Sequence, residues 1–231
     1  MRGIRTITID LDDTLWPIAP VIARAEKRTR AWLAEHYPRV TEMYTPEAMM
    51  QVRAEVIEQH KDKAHDLYFL RRTVLGRISK AAGYGTSMVD DAFAIFNEER
   101  NIVDVFPDVR PALTRIRRSF RIVALTNGNA DLEKIGLREL FDDVISAVDA
   151  GAAKPERKIF DQAVRAGGAD HAETLHVGDH PEADVHGARQ AGLRAVWVNR
   201  VGHTWPEELP EPDGVVEELG ALAELLDSAG R

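Results

Sequence analysis

The chain has 231 residues, 44% hydrophobic and 29% charged, with a formal net charge of −8 and no cysteine. That length suits one large domain, or a domain carrying an insert. The acidic balance argues against a nucleic-acid binder, which would carry a basic face. The lack of cysteine excludes disulfides, thiolate chemistry and cysteine-ligated zinc. No apolar stretch reaches the length of a membrane span, and Asp10 interrupts the apolar run a signal peptide would need. A cytoplasmic protein with no nucleic-acid or membrane partner is expected.

The first predicted element is a strand over residues 4–10, a β-branched run that ends on carboxylates. Residues 17–103 read as helical throughout. Ile18, Val21, Ile22, Ala25, Trp32 and Leu33 recur at helical spacing. Thr45-Pro46 gives an N-cap followed by a first-turn proline, and Met49, Val52 and Val56 continue that helix. Leu67, Leu70, Val74, Ile78 and Ala81 mark a third helix that stops near Gly83 and Gly85. Ser87 to Asp90 has the pattern of a capping box opening a fourth, with Met88, Ala92, Ile95 and Phe96 on one face. The expectation is a small four-helix bundle.

From about 104 onward the pattern alternates. Strands are predicted at 121–126, 143–148, 174–178 and 194–199, and helices at about 109–119, 130–137, 156–167 and 181–192. Residues 202–214, rich in Pro and Glu, read as a surface loop before a last helix. Alternating strands and helices imply an α/β fold, a Rossmann-like doubly wound parallel sheet covered on both faces. The predicted organisation is core over 1–16, helical insert over 17–103 and core again over 104–231, with hinges near residue 16 and at Phe106-Pro107. Ligands of such sheets bind beyond the carboxyl ends of the strands.

The strand ends carry the chemistry. The first presents Asp10, Asp12, Asp13 and Thr14, and the second Thr126-Asn127-Gly128. Lys154-Pro155 lies in the loop after the third, and the fourth ends in Gly178-Asp179 with Asp184 following. Two carboxylates two residues apart predict either a divalent cation or a raised pKa. Mg²⁺ suits this oxygen-rich edge, with Asp10, Asp179 and the backbone around Asp12 as ligands. Thr126, Lys154 and the turn N–H groups at Asn127 and Gly128 suit the non-bridging oxygens of a phosphate.

In that order along the chain, these motifs resemble the haloacid dehalogenase-like superfamily, phosphatase branch. The helical insert sits where that family places a cap of its first type. The resemblance implies Asp10 as nucleophile forming an aspartyl-phosphate, and Asp12 as general acid and then base. It implies Mg²⁺ held by Asp10, Asp12 and Asp179, with Asp184 as ligand or support, and phosphate held by Thr126, Asn127 and Lys154. The implied substrate is a small phosphorylated metabolite. The stretches Ala124–Ala130, Leu175–Asp179 and Val196–Asn199 further resemble a bacterial subgroup. That subgroup dephosphorylates flavin mononucleotide and a phosphorylated ribitylaminouracil.

Other readings of the residues stay open at this level. Asp13 reads as a turn residue and His176 as a packed core histidine. Asp184 reads equally as a first-turn anion of the next helix. Trp16 is either a wall of the substrate site or an anchor of the hinge. Arg71 and Arg72 lie on a polar face expected to be solvated, the alternative being contact with substrate. Dehalogenase and phosphomutase chemistry, or a phospho-aspartate receiver without turnover, are the functional alternatives. The acid at position 12 and the late acidic loop speak against dehalogenase and receiver.

Overall fold

The computed structural model describes residues 1–229. They form two compact units, one made of Met1–Pro17 with the chain from Asp104 onward and the other of Ile18–Val103.

The Ile18–Val103 unit is all-helical, with α1 (Ile18–His36), α2 (Pro38–Met43), α3 (Pro46–Gln59), α4 (Leu67–Ala81) and α5 (Thr86–Arg100). This corrects the expected four helices to five among the described residues. The extra one is α2. A proline that cannot continue a helix can start one, because its missing N–H would be unpaired in the first turn anyway. Pro38 therefore both ends α1 and opens α2. The Thr45 hydroxyl caps α3 by accepting the Ala48 N–H, as its sequence suggests. The capping box expected at Ser87 is absent, since α5 begins at Thr86 with Gly85 at the cap, two residues earlier, and no side-chain bond. The helices bury one apolar cluster that includes Leu33, Val56, Val74, Ile78, Met88 and Ala92. Arg71 pairs with Glu26 at 2.9 Å and lies over the Phe96 ring, while Arg72 pairs with Asp90 at 2.5 Å. Both arginines thus have partners within their own unit.

The other unit is the α/β one. Its sheet comprises β1 (Thr6–Ile9), β2 (Arg121–Thr126), β3 (Asp143–Ser146), β4 (Thr174–Gly178), β5 (Arg194–Val198) and β6 (Gly214–Val216). The order is β3-β2-β1-β4-β5-β6, and every pairing is parallel. The helices are α6 (Val109–Ile116), α7 (Leu132–Ile135), α8 (Ala147–Ala150), α9 (Arg157–Gly167), α10 (Gly187–Ala191) and α11 (Leu219–Ala229). Val123, Leu125, Ala195 and Trp197 bury against α8, α9 and α10. Alternate residues Ile122, Ala124, Val196 and Val198 point the other way and are equally buried. α6 and α11 pack on each other. The sheet is thus flanked by helices.

Three boundaries differ from expectation for local reasons. β3 stops at Ser146 because Ser146 and Asp149 form a capping box that opens α8. The predicted helix at 181–192 is split into a π-helical turn, Pro181–His186, and α10. The predicted surface loop contains the start of β6, a strand of three residues too short for a periodic signal. Among the described residues no helix is long and apolar enough to cross a membrane.

Candidate active site

β1 lies between β2 and β4, with Ile9 opposite Ala124 on one side and Val177 on the other. The carboxyl ends of these three strands therefore share one edge, and Asp10, Thr126 and Asp179 arrive there together. The Asp10 N–H donates to the Val177 carbonyl at 2.9 Å, extending the ladder by one residue into the site. Lys154 comes from the loop after α8 and is itself buried.

The Lys154 ammonium donates to Asp10 Oδ1 and, at 2.6 Å, to Asp184 Oδ1. Asp184 sits in the π-helical turn, a departure from regular helix that recurs at functional sites. Its Oδ2 accepts the His180 N–H at 2.9 Å, and its Oδ1 also faces His176 Nε2 at 3.1 Å. The other ring nitrogen of His176 lies 2.8 Å from the Thr8 hydroxyl of β1. His176 is thus buried as expected, and it also braces Asp184. Gly178 leaves room for that carboxylate, because a Cβ there would lie 2.3 Å from Asp184 Cγ. The Thr14 hydroxyl donates to Asp179 Oδ1 at 3.1 Å, and the Trp197 indole donates to the Asp179 carbonyl at 2.7 Å.

Carboxylate oxygens of Asp10, Asp179 and Asp184 lie within 4.8 Å of one another. Burial pushes the Asp10 carboxyl well above its ordinary value; Lys154 pulls it back in part, while Asp184 and Asp179 add to the rise. Burial, then Asp184, pushes Asp179 up to about 6. Burial opposes charge on Asp184 too, but Lys154 and His176 outweigh it and hold that carboxyl low. Burial likewise opposes charge on Lys154, and Asp10 and Asp184 reverse this and raise its pKa. Three carboxylates against one ammonium leave the cluster short of positive charge. A hard divalent cation with oxygen ligands, Mg²⁺ by preference, fits that shortfall and the donor set.

The remaining site residues are placed as follows. The Asp12 carboxylate stands outside the converging trio, and its Oδ1 accepts the Trp16 indole N–H at 2.9 Å. Asp13 is an exposed turn residue with φ 60°. The Thr126 hydroxyl is buried and accepts the Gly128 N–H at 2.9 Å, so that turn donor is engaged. Asn127 uses its side chain on Lys154: Nδ2 donates to the Lys154 carbonyl at 3.0 Å, and Oδ1 accepts the Lys154 N–H at 2.7 Å. Its side chain therefore aligns the lysine, and its backbone N–H is what it has for an anion. Three contributions escaped sequence reading: Thr14 to Asp179, His176 to Asp184 and Asn127 to Lys154. Thr14 and Asn127 lay within motifs, but the partners of all three depend on which strands and loops become neighbours.

A family model described as haloacid dehalogenase-like hydrolase matches residues 4–192. The chain is 29% identical over 231 residues to the 5-amino-6-(5-phospho-D-ribitylamino)uracil phosphatase YigB of Escherichia coli, covering 96% of each. It is 28% identical over 232 residues to the glyceraldehyde 3-phosphate phosphatase of Methanopyrus kandleri, covering 97% of this chain and 96% of that one. It also superposes on the crystal structure of a 2-haloacid dehalogenase from Pseudomonas syringae pv. Tomato with a TM-score of 0.92. The identity there is 37%, and the match covers 97% of this chain and 99% of that one. As that family model spans most of its length, the chain belongs to the haloacid dehalogenase-like hydrolase family.

Proposed function

We propose that the protein is a Mg²⁺-dependent phosphomonoester hydrolase that works through an aspartyl-phosphate on Asp10. The observation that carries this reading is the convergence of Asp10, Asp179 and Asp184, with Lys154 buried against the first and last of them. An Asp10 carboxylate oxygen attacks phosphorus, and the bond from phosphorus to the leaving oxygen breaks. Asp12 gives that oxygen its proton, then takes one from the water that attacks the aspartyl-phosphate, so that phosphate leaves and the Asp10 carboxylate returns. Lys154 holds a phosphate oxygen and restrains Asp10, with Asn127 aligning it. Thr126 and the Asn127 backbone N–H complete the phosphate cradle. Asp10, Asp179 and the backbone at Asp12 would hold the Mg²⁺, with Asp184 as ligand or support. When bound, the cation offsets the negative charge of carboxylates and phosphate.

The substrate belongs to the small phosphorylated metabolites, with flavin mononucleotide and a riboflavin-pathway phosphate as the specific proposal. The likeness to YigB, a phosphatase of a phosphorylated ribitylaminouracil, supports the second of these, and the glyceraldehyde 3-phosphate phosphatase supports only the ester class. Residues 17–103 would act as the cap that selects the leaving group, and a cytoplasmic location suits such a substrate. Dehalogenation is the second reading, favoured by the 37% identical dehalogenase structure. Carbon–halogen hydrolysis needs neither a cation nor an acid at position 12, so the acidic trio counts against it. The test is a screen of phosphorylated metabolites with Mg²⁺, flavin mononucleotide among them, run beside 2-haloacids and with Asp10→Asn as control. Phosphate release that Asp10→Asn and EDTA both abolish is expected. Halide release insensitive to EDTA would select the second reading, and full turnover by Asp10→Asn would refute the nucleophile.

A further inference from the structure

Asp12 has two opposite tasks in the proposed reaction, and both need the same carboxyl oriented the same way. The turn from Asp12 to Trp16 closes on itself. The Asp13 N–H donates to the Trp16 carbonyl at 2.8 Å and the Leu15 N–H to the Leu11 carbonyl at 2.7 Å. Asp12 and Trp16 also face each other as a single β-bridge. Asp13 supplies the reversal by taking a left-handed backbone, φ 60°, which an aspartate tolerates better than most residues. Two outside bonds tether the turn: the Leu15 carbonyl accepts the Phe106 N–H at 2.9 Å and the Thr14 carbonyl accepts Arg200 Nε at 2.9 Å.

Within this frame Trp16 is wholly buried, so its indole has no room to turn. Its one polar atom, Nε1, meets Asp12 Oδ1 at 2.9 Å. An indole N–H donates and never accepts. It therefore keeps Oδ1 in the role of acceptor whatever the state of the carboxyl.

We infer that Trp16 is a positioning residue for the acid–base carboxyl. It pins Oδ1 of Asp12, so that the proton given to the leaving oxygen and later taken from water travels on Oδ2. This goes beyond packing, the ordinary reason for a buried tryptophan, and it rests on the proposed role of Asp12. The reaction fixes the balance: the leaving oxygen gains the Oδ2 proton as its bond to phosphorus breaks, and Oδ2 regains a proton from the attacking water.

The test uses two aryl esters on the full chain with Mg²⁺. p-Nitrophenolate leaves without a proton, whereas phenolate from phenyl phosphate, the stronger base, draws on the acid. Rapid-quench measurement of the first turnover isolates the cleavage step. In Trp16→Phe the p-nitrophenolate burst should keep its rate, while phenol release falls about tenfold, the cost of one hydrogen bond to a charged group. Placing at position 16 the benzothiophene isostere of tryptophan, which fills the same space without an N–H, guards against a packing defect and should give the same selective loss. Equal losses on both esters, or no loss with the isostere, would overturn the inference. Asp12→Asn separates the two layers. If it discriminates between the esters and the Trp16 variants do not, only the inference falls. If Asp12→Asn does not discriminate, the acid role of Asp12 fails and takes the inference with it.

Discussion

At the scale of single residues the site is an exercise in charge accounting in a dry setting. Among the described residues Lys154 is the one ammonium bonded to Asp10 and Asp184, and both carboxylates are buried with it. Removing one partner of such a group leaves uncompensated charge, which costs far more than the intact pair contributes. Lys154→Met should therefore lower unfolding free energy in metal-free buffer by about 3–5 kcal/mol, read by urea denaturation. Part of that loss should return with Mg²⁺, and turnover should fall by about a hundredfold or more. Unchanged stability in metal-free buffer would contradict the ion-pair account. Asn127 marks the limit of residue-by-residue reading. Its place after Thr126 suggested an anion contact, yet its amide is spent on the Lys154 backbone twenty-seven positions away.

At the scale of elements, close approach decides what a glycine is for. α9 lies directly on β1, where a Cβ on Gly167 would stand 2.3 Å from Thr6 Cγ2 and 2.9 Å from its hydroxyl. Gly167→Ala should cost about 1–3 kcal/mol through overpacking. In α4 a Cβ on Gly76 meets nothing within 4 Å, so Gly76→Ala should instead stabilise by about 0.5–1 kcal/mol. Thermal unfolding of the two variants should move in opposite directions. A second element-scale device joins three segments of the α/β unit. Arg200, just past β5, binds Asp108 through both terminal guanidinium nitrogens at 3.1 and 3.0 Å, and Asp108 accepts the first N–H of α11, from Leu219, at 2.8 Å. Burial opposes charge on Asp108, but the Arg200 and Leu219 bonds outweigh it and hold the carboxyl below the usual range. A lowered folded-state pKa means the contribution is complete above the unfolded value, about 4, and fades as pH drops through the folded one. Wild type should thus lose stability below about pH 4 more steeply than Asp108→Asn, by denaturant titration across that range. Parallel slopes would exclude the clamp as a source of acid sensitivity.

At the scale of the whole molecule, the proposed cation at the acidic cluster would make stability depend on a small ion. A ligand that binds only the folded state stabilises by mass action, about 2.7 kcal/mol at a hundred times its dissociation constant. Mg²⁺ should raise the unfolding temperature, EDTA should reverse it, and Asp179→Asn should blunt the response. An unfolding temperature indifferent to Mg²⁺ would count against the cluster as a cation site. The helical unit contributes none of the three carboxylates, so its own cluster of Leu33, Val56 and Met88 should be insensitive to the ion.

The sequence by itself determined which segments are strands and which are helices wherever a period ran long enough. It also determined the chemical types at the strand ends, because carboxylates, a threonine and a lysine after apolar runs are visible without a fold. Short or punctuated elements escaped it: α2, whose proline reads as a stop; β6, three residues long; and the π-helical turn that carries Asp184. Only the tertiary structure decided the rest. The strand order sets β1 between β2 and β4, and so turns four separate motifs into one cluster. It also brings His176 under Asp184 and Asn127 under Lys154. Those contacts join residues far apart in the chain, and no local period records them. In the turn at Asp12, the sequence offered Trp16 as either wall or hinge anchor. The fold, by burying the indole and aiming its N–H, decided that it meets the carboxyl.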